Sequence, residues 1–198
     1  MKFVAISDTH GCHRTLDLPS GDAILHAGDV CDRGNREHVT DFLSWFSELD
    51  YEHKILVRGN HDIDLKTGES LLDVEMPTGV IQLKDSQCFV DGVPIWGVPF
   101  PLGENQPDLN LIPDETQILL SHRPPYTILD KPPMGGPKGD SALLQVAKSL
   151  QPKVHLFGHI HRSYGQKTIG NTLFINASGY RASKKAIVNK PIVFEIEA

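Results

Sequence analysis

The sequence has little cysteine, no long apolar run and no cluster of basic residues. Its three cysteines are scattered, so they form neither a disulfide framework nor a metal-binding CxxC pair, which favours a reducing compartment. No stretch approaches the length that spans a bilayer, and the apolar opening, residues 1–6, is too short for a signal peptide. We therefore expect a cytoplasmic protein with no membrane partner.

The shortage of basic residues also argues against nucleic acid as a partner. The net charge is −6 with neutral histidines, and Lys184-Lys185 is only a dipeptide. Binding along a nucleic-acid backbone needs a basic footprint, which this chain lacks. A small nucleotide is still compatible with the composition, because bound metal ions can reverse the local charge.

The composition is that of one ordinary globular domain. With 198 residues, 39% hydrophobic and 22% charged, the chain can bury a core without disulfides, and we expect a single domain over residues 1–198. Apolar strands at 2–6, 23–26 and 54–57 surround a helical pattern from about 35 to 49. This βαβ rhythm predicts a mostly parallel α/β sheet.

The middle of the chain has a different pattern. Short strands at 80–83, 87–90 and 93–98 are separated by turn residues and predict hairpins. Two Pro/Gly-rich loops, 99–113 and 130–140, are expected to wall a pocket. The remaining predicted elements are strands at 117–120, 154–157, 165–169, 172–176 and 192–196 and a helix at 141–150.

Polar residues follow five of the apolar strands at the point where each strand ends. In α/β sheets, ligands collect outside the carboxyl ends of the strands, where loops converge. Asp, Asn and His offer oxygen and imidazole ligands, which suit Mn, Fe, Zn or Mg. The residues are Asp8 and His10, Asp29, Asn60 and His61, His122, and His159 with His161.

Two of these strand ends have the spacing of a metal-binding pair. Asp8 and His10 leave the same face of an extended chain, because side chains alternate with a period of two, so they can bind one ion together. His159 and His161 have the same spacing, and their rings could serve neighbouring ions. A glycine precedes three of the five clusters, where a Cβ would obstruct a close approach.

Taken together and in order, the motifs resemble the calcineurin-like metallophosphoesterase superfamily. The short length, with residues 17–22 and 158–165, is most similar to the small metallophosphoesterase-domain-containing proteins. The resemblance implies an α/β fold in which a two-sheet β-sandwich is flanked by helices in four layers, with the site at one rim. The motifs are Asp8-x-His10, Gly28-Asp29-x-x-Asp32-Arg33, Gly59-Asn60-His61-Asp62, His122 and Gly158-His159-x-His161.

The resemblance also implies two divalent metal ions. Asp8, His10 and His161 would bind the first ion. Asn60, His122 and His159 would complete the site of the second, and Asp29 would bridge both. Manganese is the favoured ion, with Fe, Zn or Mg as alternatives. Because two divalent ions outweigh two ligand carboxylates, such a site would attract phosphate.

The remaining motif residues would act on the phosphoester. A water between two cations is partly deprotonated near neutral pH, so metal-bound hydroxide can attack without a protein base. The leaving oxygen then needs a proton, and His61 is the expected general acid. Asp32 would orient His61, and Arg33 would steady phosphate oxygens, although a surface or salt-bridged arginine is an equal alternative for Arg33.

We therefore expect hydrolysis of small phosphodiesters, such as cyclic or bridged nucleotides. One alternative is a phosphomonoesterase or protein phosphatase, because residues 28–34 resemble the corresponding block of the Ser/Thr phosphatases. Another is a weakly active nucleotide-binding protein, against which the presence of both His159 and His161 argues. A nuclease is the weakest alternative, and the sequence does not indicate an oligomeric state.

Overall fold

The computed structural model describes residues 1–132 and 134–197. Within those residues no helix combines the length and the apolar character that crossing a membrane requires. The strands there are β1 (Lys2–Ile6), β2 (Ala23–His26), β3 (His53–Leu56), β4 (Val80–Gln82), β5 (Ser86–Val90), β6 (Val93–Val98), β7 (Ile118–Ser121), β8 (Val154–Phe157), β9 (Gly165–Ile169), β10 (Thr172–Asn176), β11 (Tyr180–Arg181), β12 (Ala186–Ile187) and β13 (Ile192–Glu195), and the α-helices are α1 (Arg36–Glu48) and α2 (Ser141–Leu150).

The strands form two mixed sheets and a short ribbon. The first sheet has the order β13-β1-β2-β3-β4, in which β1 to β4 are parallel and β13 is an antiparallel edge. The second has the order β5-β6-β7-β8-β10-β9, with antiparallel edges at β5 and β9 and parallel strands between them. Strands β11 and β12 pair only with each other.

The two sheets pack face to face, and a helix covers each outer face. Phe3 and Ala5 point into the core between the sheets, whereas Val4 and Ile6, on the other face of β1, pack in the cluster with α1. On the second sheet, α2 contributes Leu143 to the outer cluster that contains Trp96 and Leu119. The order helix, sheet, sheet, helix confirms the predicted sandwich in four layers.

Both helices begin where the sequence predicts. The Asn35 side chain accepts hydrogen bonds from the backbone N–H groups of Glu37 (2.9 Å) and His38 (3.2 Å). Asp140 caps α2 in the same way, accepting from Ala142 at 2.8 Å. Each cap satisfies N–H groups that have no partner inside the helix, so each fixes a helix start.

The prediction of a hairpin between residues 80–83 and 87–90 is wrong. Strand β4 pairs in parallel with β3, and β5 pairs with β6, so the short connection crosses from one sheet to the other. Val80 is buried in the cluster under α1 and Leu83 in the core between the sheets, and this division decides the path. The predicted hairpin of β5 and β6 is confirmed.

The parallel strands of both sheets end at one rim of the sandwich. Beyond the ends of β1 and β2, the Asp8 N–H donates to Gly28 O (2.9 Å), and beyond β7 and β8 the Gly158 N–H donates to His122 O (3.1 Å). The two sheets are joined there by the His122 ring, whose Nδ1 lies 2.7 Å from Ala27 O. All five strand ends with polar residues therefore meet at this rim.

Candidate metal centre

The first group of ligand atoms comes from Asp8, His10, Asp29 and His161, and all of these atoms lie within 4.8 Å of one another. His161 Nε2 is 3.1 Å from Asp8 Oδ1 and 3.2 Å from His10 Nε2. His10 Nε2 is 3.7 Å from Asp29 Oδ2. Asp8, His10 and Asp29 are buried and His161 is half-buried. The structure thus brings together the four residues predicted to hold the first ion.

The second group shares Asp29 with the first. Ligand atoms of Asp29, His122 and His159 lie within 4.8 Å of one another. His122 Nε2 is 2.9 Å from Asn60 Oδ1 and 3.5 Å from Asp29 Oδ2. All seven predicted ligands therefore converge, although their role as ligands remains a prediction.

The spacing and chemistry of these atoms fit divalent ions. Two ligand atoms that each lie about 2.1 Å from an ion are about 3.0 Å apart at a right angle and about 3.4 Å apart in a tetrahedron. The separations from His161 Nε2 to Asp8 and to His10 fall in this range. A mixed set of carboxylate, amide and imidazole ligands suits Mn, Fe or Zn.

Hydrogen bonds on the far side of two rings fix the direction of their lone pairs. His10 Nδ1 lies 3.2 Å from Cys31 O, and His122 Nδ1 lies 2.7 Å from Ala27 O. A carbonyl oxygen only accepts, so Nδ1 carries the proton in both rings. The Nε2 lone pair of the neutral ring then faces the cluster, as in a metal-binding histidine with an oriented outer hydrogen bond.

The electrostatics of the metal-free centre favour positive charge. Burial opposes ionisation of Asp29, yet the charge of His122 lowers the pKa of that carboxyl to about 2. Burial would likewise lower the pKa of His122, but the charge of Asp29 raises it to about 9. The buried carboxylates of Asp8 and Asp29 thus favour the protonated form of the neighbouring histidines. A bound cation would displace those protons.

Glycines allow the strand ends to come this close, as predicted. A Cβ on Gly59 would overlap the carboxylate and backbone of Asp29, and one on Gly158 would overlap Ser7 and Asp8. Gly28 adopts φ +94°, and a Cβ there would lie 2.7 Å from His122 Nδ1. Any larger residue at these three positions would push ligands apart.

Asp62 supports the centre through hydrogen bonds to the backbone of the ligand-bearing loops. It is fully buried, and its Oδ2 accepts hydrogen bonds from the N–H groups of Asp29 and Gly59, both at 2.9 Å, while Oδ1 accepts from Cys31 N at 3.1 Å. Burial and the charge of Asp29 raise the pKa of Asp62 to about 6. Asp62 therefore ties two ligand-bearing loops together through their backbone and is not among the ligand atoms of either group.

Two supporting residues lie far along the chain and were not predicted. Ser178 Oγ donates to Asp8 Oδ2 at 2.8 Å, and Asn176 Nδ2 donates to Ile160 O, between the two histidines of the last motif, at 3.1 Å. Both side chains are fully buried. In the sequence they form a glycosylation-like Asn-x-Ser triplet, and the structure shows that both side chains are used internally instead.

His61 lies beside the clusters. Its ring centroid is 4.7 Å from that of His10, and its Nδ1 accepts a hydrogen bond from the Arg33 N–H at 3.0 Å. Asp32 Oδ1 is 3.4 Å from the same nitrogen. The atoms of His10, Asp32 and His61 also lie within 4.8 Å of one another, but this grouping is not a competing metal site because His10 Nδ1 already donates to Cys31 O.

A cavity of about 400 Å³ opens beside the centre. The predicted loop 130–140 contributes Pro132 to its wall, and Pro133 lies outside the described residues. The other predicted loop, 99–113, does not line this cavity, and it contacts the centre through Phe100, whose ring centroid is 6.0 Å from those of His122 and His159. The hairpin of β11 and β12, which was not predicted, supplies the facing wall.

Tyr180, at the start of that hairpin, stands over the first ligand group. Its ring centroid lies 4.6 Å from that of His10 and 5.7 Å from that of His161. The hairpin strands have two residues each, too few for an alternating pattern, so no local signal marks Tyr180 or Arg181 as part of the site.

Comparison with known proteins agrees with this geometry. The sequence model for calcineurin-like phosphoesterases matches residues 1–163. Metallophosphoesterase domain-containing protein 1 of Homo sapiens is 33% identical over 98% of this chain and 71% of its own length, and UPF0046 protein K07C11.7 of Caenorhabditis elegans is 33% identical over 99% and 75%. A solved structure at 16% identity superimposes with a TM-score of 0.60 over 88% of this chain and 89% of its own, which shows a shared fold alone.

The role of Asp62 is testable by the change Asp62→Asn. An amide keeps one acceptor oxygen and turns an NH₂ group toward a backbone N–H, so at least one buried donor loses its partner. We expect the free energy of unfolding to fall by roughly 1–3 kcal/mol, and the affinity for Mn²⁺ to fall roughly 10- to 100-fold. Urea unfolding in chelator and Mn²⁺ titration measure the two effects.

Asp64→Asn is the matched control. Asp64 accepts from Lys66 N, pairs with the exposed Arg36 and belongs to neither ligand group, so we expect a much smaller loss of stability and unaltered metal affinity. Equal effects of the two substitutions would contradict the role given to Asp62.

Proposed function

The chain belongs to the calcineurin-like phosphoesterase family, and from this membership and the two joined ligand groups we propose that it hydrolyses small phosphodiesters, such as cyclic or bridged nucleotides, at a dinuclear metal centre. The observation that carries the proposal is the position of Asp29, whose carboxylate belongs to both groups of ligand atoms. A single carboxylate shared in this way is what a pair of adjacent ions requires.

The seven ligands would hold two divalent ions, with manganese the first choice. When bound, the ions would supply Lewis-acid activation of water and of the phosphoryl oxygens. With two carboxylates, Asp8 and Asp29, among the ligands, the loaded centre keeps net positive charge and favours an anionic ester over a neutral one. A cytoplasmic location belongs to the same proposal, since all three cysteines are free thiols.

His61 is the residue that we assign to protonation of the leaving oxygen. Within residues 1–132 and 134–197, its Nε2 has no hydrogen-bond partner, and the Arg33 N–H occupies Nδ1, so the neutral ring carries its proton on Nε2. When both nitrogens are protonated, Asp32 Oδ1 at 3.4 Å is the acceptor available to Nδ1. Asp32 thus acts as a positioning residue for the doubly protonated ring.

Arg33 is assigned to the phosphate oxygens. Its side chain is exposed, and no carboxylate of the described chain forms an ion pair with it, which favours a substrate contact over a structural salt bridge. Its backbone N–H meanwhile bonds to His61, so Arg33 and His61 are held at the same edge of the centre.

The preference for diesters rests on space beside the metals. A monoester presents one organic group, whereas a diester presents two, and the cavity of about 400 Å³ can receive the second. We expect Mn²⁺-loaded protein to hydrolyse bis-p-nitrophenyl phosphate with a higher kcat/KM than p-nitrophenyl phosphate. Turnover of the monoester with none of the diester would refute the proposal in favour of a phosphomonoesterase.

The shared ligand gives a prediction about metal content. We expect two ions per chain in the unmodified protein, one in His159→Ala, and none in Asp29→Ala, because Asp29 belongs to both groups and His159 to one. Metal analysis after gel filtration measures the ratio. Asp17→Ala, an exposed carboxylate outside every group of possible ligand atoms in the described residues, serves as control and should retain two ions. An ion retained by Asp29→Ala would show that the carboxylate is not shared.

The assignment of His61 predicts a dependence on the leaving group. His61→Ala should keep both ions and lose roughly 10²- to 10⁴-fold in kcat on 2′,3′-cyclic AMP, whose leaving oxygen needs a proton. The loss on bis-p-nitrophenyl phosphate should be smaller, because p-nitrophenolate departs without one. Equal losses on both substrates, or loss of an ion, would rule out the general-acid role.

A further inference from the structure

The cavity beside the metal centre is larger than a phosphate group and has its own chemistry. It is bounded on one side by His159 and His161, one from each ligand group, and it extends away from them to the β11–β12 hairpin. Ligand pockets for small organic molecules begin at roughly 300 Å³, so the volume of about 400 Å³ has room for a body attached to the phosphoester.

Apolar residues line the space between the histidines and the hairpin. Pro132, Ile160 and Ala182 are among its lining residues. Such walls are suited to a flat or ring-shaped body that leaves water on binding. Their side chains offer no hydrogen-bond donor to an anion, so the polar contacts must come from other lining residues.

Two arginines line the same cavity and are unpaired. No carboxylate of residues 1–132 or 134–197 forms a salt bridge with Arg162 or Arg181, whereas Arg14, Arg36 and Arg123 are paired with Asp41, Asp64 and Asp140. Nε of Arg181 is buried and has no hydrogen-bond partner among the described residues. The protein therefore leaves this guanidinium without an acceptor at Nε, and the part of it that lines the cavity can donate to a ligand that accepts hydrogen bonds.

The hairpin adds more positive charge to this side of an acidic protein. Lys184 and Lys185, both exposed, lie in the turn that joins β11 to β12, three and four residues after Arg181. The net charge of the chain is −6, so the grouping runs against the overall balance. Arginine pairs with phosphate or carboxylate through two parallel hydrogen bonds, which makes these anions the fitting partners.

We propose that Arg181 and Arg162 form a second anion subsite, and that the substrate is a phosphoester whose apolar body carries a further phosphate or carboxylate. The inference rests on the proposed function for the position of the scissile ester and deepens it by naming the substrate class. The ester phosphate lies at the metal centre, the body against Pro132, Ile160 and Ala182, and the second anion at the two guanidinium groups. The subsite lies partly beyond residue 163, where the match to the family's sequence model ends.

Binding of two nucleotides that differ by one phosphate tests the subsite. Calorimetry on Mn²⁺-loaded protein, at one ionic strength, compares thymidine 3′,5′-bisphosphate with thymidine 5′-monophosphate, and chromatography checks that both stay intact. We expect the bisphosphate to bind roughly 10- to 100-fold more tightly, the range of one or two charge-assisted hydrogen bonds. Equal affinities would overturn the proposal.

Three variants assign the preference to the cavity. Arg181→Gln should reduce the preference for the bisphosphate to about threefold or less. Arg181→Lys keeps the charge but loses the planar guanidinium, so its preference should lie between those of Arg181→Gln and the unmodified protein. Arg14→Gln is the matched control, because it removes the same charge from an exposed arginine paired with Asp41. An equal loss in Arg14→Gln would show a general charge effect and refute the subsite. Circular dichroism and thermal unfolding confirm that each variant is folded.

Failure of the subsite and failure of the proposed function give different results. If the protein hydrolyses bis-p-nitrophenyl phosphate but does not distinguish the two nucleotides, the subsite is wrong and the activity stands. If it prefers the bisphosphate through Arg181 but hydrolyses no diester, the subsite stands and the proposed activity is wrong.

Discussion

The rest of the structure depends on a pair of buried carboxylates, Asp8 and Asp29, whose negative charge has to be balanced inside the protein. In the metal-free state protons supply the balance. Burial opposes charge on His122 and His161, yet the neighbouring carboxylates raise the pKa of both rings. A divalent ion balances the same charge better, since several lone pairs can coordinate it at once. Metal binding is therefore coupled to proton release. The charge of the two carboxylates favours a cation at this rim whether or not a substrate is bound.

Much of this rim could be predicted because each ligand follows a strand closely. An apolar run marks each strand, and parallel strands of one sheet bring their carboxyl ends to one edge, so local patterns and one rule of topology place Asp8 and Asp29 together. His122 follows a strand of the second sheet, and the packing of the two sheets brings it to the same rim. The same reasoning failed between β4 and β5, where three residues fit either a turn within a sheet or a crossing between sheets. The burial of Val80 and Leu83 in different cores decides that path, and a local pattern does not carry such information.

The residues that sequence reasoning missed share one property: each lies far along the chain from the site residue that it contacts. Ser178 bonds to Asp8 across 170 positions, and Tyr180 packs on His10 from the same part of the chain. Both follow β10, whose neighbour β8 carries the last histidine motif, so their place at the rim is a consequence of sheet order. No spacing rule joins them to the motifs. The hydrogen bond from the Arg33 N–H to His61 Nδ1 was not predicted, for a related reason. Every residue except proline has a backbone N–H, so the residue type does not indicate which acceptor that group contacts in the folded chain.

Four of the seven proposed ligands adopt left-handed backbone conformations, with φ of 53° at Asp8, 45° at His10, 60° at Asp29 and 67° at His159. Asp and His tolerate this region better than most residues, but each such position still costs about 1 kcal/mol or more. In all four the residue's own N–H donates within the site: to Gly28 O, Asp29 O, Asp62 Oδ2 and the Asp8 carboxylate. Two of these hydrogen bonds, from His10 to Asp29 and from His159 to Asp8, join one proposed ligand to another, and the other two join ligands to Gly28 and Asp62. The backbone at these four positions is therefore held by hydrogen bonds within the protein, which favours a site arranged in advance of its ligands.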